Sequence, residues 1–128
     1  MILEEVAAYL QAEGMGNAGL GSLPNTPDDA YALFEYGGSA PMHVKQLQAP
    51  ILEYPRFQVI TRSKSYSTAR LKAERIYRLL TGYSGLMGGV EYSRVKALQS
   101  PFFLDRDDAG RARFVCNYSV IKELSPIN

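Results

Sequence analysis

The spacing of apolar residues changes period several times along the chain, and each change predicts an element. In residues 66–82, YSTARLKAERIYRLLTG, the apolar residues Ala69, Ala73, Ile76, Tyr77 and Leu80 fall on one face of a 3.6-residue helix. Ser65 or Ser67 can cap its first free amides, and Gly82 can supply the left-handed residue that follows a helix end. The opposite face carries Arg70, Lys72, Glu74, Arg75 and Arg78, with Glu74 one turn ahead of Arg78 as an opposite-charge pair. The remaining positive charge suits either a solvated helix surface or a contact surface for an acidic partner. A first helix is expected over residues 2–13, where Leu3, Val6, Ala7 and Leu10 form a stripe, Glu4 and Glu5 oppose the helix dipole, and Gly14 follows.

Elsewhere the period shortens to that of strands. Residues 30–36 alternate, with Tyr31, Leu33 and Glu35 on one side. Residues 56–62 place Phe57 and Val59 together, and 90–99 and 101–104 supply two weaker runs. The clearest strand is 113–121, with Phe114, Cys116, Tyr118 and Val120 on one face after the polar turn DRDDAG at 105–110. Between the first two strands, residues 37–55 show no period and hold Pro41, Pro50 and Pro55 among Met42, Val44, Leu47, Ile51 and Leu52. An apolar loop of that length is expected to be an arm that finds its partner on another molecule. The order predicts an α+β fold: a mostly antiparallel sheet of four to five strands with two helices packed on one face, in a single domain over residues 1–128.

Size and composition agree with one core-bearing domain: 128 residues, 46% hydrophobic and 21% charged. The N-terminus, MILEEVAAYL, is acidic where a secretory signal is basic, and no apolar run reaches membrane-spanning length, so no membrane association is expected. The net charge of +1 conceals a segregation. Residues 1–55 hold one basic and seven acidic residues, 56–82 hold seven basic and one acidic, and 83–128 hold six basic and five acidic. Such a subunit can associate head to tail, or its two charge sets can face each other internally.

Candidate chemistry is sparse. The glycines Gly14, Gly16 and Gly19 match G-x-G-x-x-G, but a helix precedes them and prolines follow, the reverse of the strand-to-helix order that cradles a pyrophosphate, so they read as a mobile connection. One cysteine, Cys116, and one histidine, His43, offer neither a disulfide nor a clustered metal site. Cys116 lies on an apolar strand face, and His43 has no orienting carboxylate nearby in sequence, so no catalytic, cofactor or metal site is expected. The basic run from Arg56 to Arg78, with Tyr66 and Tyr77 within it, leaves nucleic-acid binding as the chemical alternative.

Three blocks in succession, ALFEYGGSAP, YPRFQVITRSKSYSTARLKAERIYRLLTG and SPFFLDRDDAGRARFVCNYSV, give the chain a family likeness over residues 30–121. The chain resembles the minor capsid and tail terminator proteins of long-tailed bacteriophages and their prophages, most individually in LDRDDAGRARF and the Asn117 that follows. The resemblance implies a non-enzymatic virion protein of the tail or neck, assembled in the host cytoplasm as a homo-oligomeric ring, commonly of six. Such a ring caps the tail tube, ends its polymerisation and offers the head-joining surface. The implied partners are the major tail tube protein and a head-tail connector or stopper protein, with DNA passing through the lumen. A head completion or connector protein of the neck is the alternative. On this reading Arg70, Arg75 and Arg78 meet acidic residues of a neighbouring subunit, and Met42, Val44, Leu47 and Ile51 contact the neighbour or the tube.

Overall fold

A computed structural model of the chain describes residues 1–42 and 51–127. The elements run α1 (Ile2–Ala12), β1 (Gly19–Leu20), β2 (Ala30–Met42), β3 (Leu52–Ser63), α2 (Tyr66–Leu80), β4 (Gly85–Met87), β5 (Val90–Ala97), β6 (Phe102–Arg106) and β7 (Ala112–Glu123). The strands make one seven-stranded sheet in the order β1-β2-β3-β7-β5-β4, with β6 pairing β7 off that path. β3 pairs with β7 from Leu52–Glu123 to Ser63–Ala112, so β5 and β6 share the other edge of β7.

α2 forms where its pattern places it. The Ser65 hydroxyl accepts from the Thr68 amide at 3.3 Å, which satisfies one of the amides a helix start leaves free. Ala69, Ala73, Ile76 and Leu80 are buried, and Gly82, at φ +76°, turns the chain so that its amide donates to the Val95 carbonyl. On the sheet, alternation decides what is covered. Phe57, Val59 and Thr61 of β3 stand opposite Tyr118, Cys116 and Phe114 of β7, and all are buried. Ile2, Leu3, Val6 and Leu10 of α1 and Ile76 and Leu80 of α2 complete one cluster with Phe57, Val59, Cys116 and Tyr118 and with Tyr31, Leu33, Tyr92 and Val95. Burial of each of its larger side chains is worth roughly 1.5–3 kcal/mol.

Four expectations are corrected. The sheet has seven strands, not four to five, and β1 runs parallel to β2, so the sheet is mixed. β1 and β4 are two and three residues long, too short to carry a period. The glycine segment is not a free connection, because Gly19 and Leu20 pair with Ala32 and Leu33. The stretch 37–55 is not one irregular loop. Gly38 pairs with Pro55, Ser39 with Tyr54 and Met42 with Leu52, which extends the β2–β3 hairpin through two register shifts. Glycines allow this, since a Cβ on Gly38, at φ +148°, would lie 2.8 Å from the Tyr54 carbonyl oxygen.

Candidate assembly surface

The structure separates the charges into those that hold the fold and those left over. Lys122, on β7, is fully buried, and its ammonium donates to Glu53 at 2.6 Å and to the Ser125 hydroxyl at 2.8 Å, with Glu5 at 3.3 Å. Glu5 in turn accepts from the Tyr92 hydroxyl at 2.7 Å, from the Ser125 hydroxyl and from the N-terminal ammonium at 3.3 Å. Burial raises the pKa of Glu5, but the hydrogen bonds from Ser125 and Tyr92 and the charge of Lys122 outweigh it and hold the carboxyl below its ordinary value. Gly88, at φ +54°, presses on this helix turn, and a Cβ there would lie 3.0 Å from the Glu5 Cα. The sequence pattern placed Glu5 only at a helix dipole; apart from the N-terminal ammonium, its partners come from elements far along the chain.

A second set of ion pairs pins residues 25–29. The Arg111 guanidinium, nearly buried, donates to the Asn25 carbonyl at 2.6 Å and to Asp107 at 2.7 Å, and lies 3.4 Å from Asp28. Arg62 donates to the carbonyls of Pro27 and Asp28 at 2.7 and 3.0 Å. Arg113 forms a bidentate pair with Asp105 at 2.7 and 2.6 Å. That contact lowers the Asp105 pKa and raises that of Arg113.

The arginines singled out on α2 are exposed. Arg78 pairs within its own helix with Glu74 at 3.2 Å, while Arg70 and Arg75 form no ion pair among the described residues. Lys64–Asp28, at 3.5 Å, is the only salt bridge among the described residues that joins the acidic stretch 1–55 to the basic stretch 56–82. Lys72 departs from the expected outward face. Its ammonium donates to the Met15 carbonyl at 2.5 Å and stands 5.2 Å from the centroid of the Tyr31 ring. Burial lowers its pKa, and Arg75 adds to the shift. Tyr31 donates to the Gly16 carbonyl at 2.8 Å, and burial pushes its hydroxyl up to about 12. These two contacts seat the glycine segment beside α2 and leave a groove of about 780 Å³ lined by Gly16, Pro27, Tyr31, Leu71, Lys72 and Arg75 among others.

Apolar residues are exposed beside the unpaired arginines. Leu71 is 56% exposed on α2. Tyr66 packs on Phe103 of β6 and on Phe114, with ring centroids 5.5 and 4.9 Å apart, yet it and Phe103 both remain exposed. Sequence reasoning missed β6 as a surface element, although the run Phe102-Phe103-Leu104 carries no alternation and so cannot face a single core. Of the residues placed on the arm, Ile51 is exposed, while Val44, Leu47 and the Met42 side chain lie outside the described residues. His43 does so too. Cys116 is buried, its thiol donates to the Gln99 carbonyl, and burial raises its pKa. The described residues contain no cluster of metal-ligating side chains and no helix long and apolar enough to cross a membrane.

Residues 9–124 match a family described as bacteriophage tail terminator protein. Among solved structures the chain is similar to a chain of the virion of a native gene transfer agent particle, with a TM-score of 0.63, 15% identity and 93% of each chain covered. No curated protein matches it significantly in sequence.

Proposed function

Because the chain belongs to the bacteriophage tail terminator family, and so is a structural component of a phage tail, we propose that it assembles as a closed ring that caps the tail tube. The ring, of six subunits in this reading, stops tube polymerisation and presents the surface to which the head joins through a connector or stopper protein. DNA passes through its lumen, and the chain carries out no catalysis.

The observation that carries the ring is the unspent charge. A subunit that used its basic helix for its own fold would pair it with the acids of residues 1–55, yet Lys64–Asp28 is the only such bridge among the described residues. Arg70 and Arg75 are thus free to meet a neighbour, with Arg78 beside them, while Glu4, Glu13 and Glu35 are exposed and without ion pairs among the described residues. Two unlike surfaces on one subunit make a heterologous contact, which closes into a ring when the rotation allows. Met42, Val44, Leu47 and Ile51 meet the tube or the neighbour in this arrangement.

The test is to interrupt the gene in its phage or prophage and image the induced lysate by electron microscopy. The expected result is DNA-filled heads beside unattached tails of uncontrolled length. Free tails of normal length beside tailless heads would instead place the protein on the head side of the joint, and normal infectious particles would overturn the virion role.

A further inference from the structure

Among the described residues the sheet is open at β6, at the β1–β2 side and at β4, and all three carry apolar side chains, with Leu86 the exposed one on the three-residue β4. At one, β6 pairs only with β7 among the described residues, and Phe102, Phe103 and Leu104 are 43%, 42% and 44% exposed in succession. A register shift between Phe103 and Asp105 leaves Leu104 without a Cα partner on β7. Free amides and carbonyls beside a run of exposed apolar residues template pairing with another chain, and monomeric proteins avoid the combination. At the β2 edge, β1 covers only Ala32 and Leu33. The next residues, Phe34, Glu35 and Tyr36, have no strand on that side among the described residues.

We propose that these two edges pair, so that β6 of one copy receives the Phe34–Tyr36 edge of the next and the sheet continues from subunit to subunit. The inference rests on the ring reading above and names its seam. Strand direction is compatible: β6 is antiparallel to β7, β7 to β3 and β3 to β2, so β2 runs opposite to β6. Rotation about an axis along the strands preserves that sense, and the new pair is antiparallel. The charges also match. Glu35 stands opposite Phe57, whose side chain enters the core, so Glu35 projects on the helix side of the sheet. Arg70, one turn after Tyr66 and lining the same surface hollow, stands on that side at the β6 edge. In-plane pairing brings the acid of one copy to the base of the next. Pairing of two β6 edges across a two-fold axis would instead leave both β2 edges open and gather two Arg70 side chains at one seam. The occupant is therefore a second copy of this chain.

The test uses Leu104→Cys and Tyr36→Cys, singly, mixed and combined in one chain, with buried Cys116 left in place. A bis-maleimide of about 8 Å matches the reach of opposite and diagonal cross-strand neighbours. Cross-linking is done on the purified protein and on particles assembled from it. The expected result is a covalent dimer from the mixture and a ladder rising to one closed size from the combined variant, with neither single variant linking to itself. A companion variant, Leu104→Lys, is expected to lower the ring fraction at least tenfold without a change in Tm. Dimers from Leu104→Cys alone would overturn the seam in favour of β6–β6 pairing. Rings that form yet give no cross-link from the mixture would overturn the seam while leaving the ring standing. Absence of any multimer in both solution and particles would overturn the ring itself, and the seam with it.

Discussion

Lys122 and Arg75 carry the same charge and have opposite fates. Lys122 is fully buried on β7 with Glu5, Glu53 and Ser125 around its ammonium, whereas Arg75 stands exposed on α2 and forms no ion pair among the described residues. A buried charge survives only if the chain itself supplies the counter-charge and hydrogen bonds, because desolvation costs several kcal/mol per ion. A solvated charge has no such requirement, so what it faces is left to another molecule. The same division separates the covered face of β7, where every other side chain is buried, from β6, where Phe102, Phe103 and Leu104 remain in water.

The contrast can be broken by substitution. The largest effect is expected at the buried centre: Lys122→Ala leaves Glu53 without its cation and Glu5 with the N-terminal ammonium alone, and should cost about 3–5 kcal/mol of monomer stability in urea unfolding. A loss below about 1 kcal/mol would show that the network is dispensable. Acid probes the same centre with a definite sign. The folded-state pKa of Glu5 lies below its unfolded value, so the unfolded chain binds the proton more readily. Its contribution is complete above an unfolded pKa of about 4.3 and is lost as the pH falls through the lower folded value. Thermal unfolding of Glu5→Gln beside the parent should show a difference that shrinks on acidification through that window; a constant difference would contradict the assignment.

Smaller effects follow outside the centre. Ser65→Ala removes the oxygen that caps α2 and should cost about 1 kcal/mol, read from the same unfolding curves. At the far end of the comparison, Arg75→Glu with Arg78→Glu should cost the monomer no more than about 1 kcal/mol, since the exposed Glu74–Arg78 pair is exchanged for a solvated like-charge pair in the last turn of α2. On the ring reading the same variant loses assembly, seen by sizing and electron microscopy. Unchanged rings would remove these arginines from the interface, and a large loss of monomer stability would erase the distinction between the two regions.

Much of the frame is legible in the amino-acid pattern. The stripe from Ala69 to Leu80, the cap at Ser65 and the alternation from Phe114 to Val120 each depend on neighbours a few residues apart, and all recur in the fold. The exposed arginines of α2 are legible for the same reason. Other features escape because nothing local encodes them. β1 and β4 are strands only because β2 and β5 lie alongside. The prolines of residues 37–55 hide a hairpin whose ends are held by register, not by pattern.

Local periodicity and capping set which faces of the helices and strands turn toward a core and which toward water, because both act between residues a few positions apart. Contacts between polar groups distant in the chain come only with the tertiary fold. Tyr92 and Glu5 are 87 residues apart and bond because β5 and α1 close on the same core cluster. The tertiary fold also decided which strands end the sheet, because an edge exists only once every other pairing has been made.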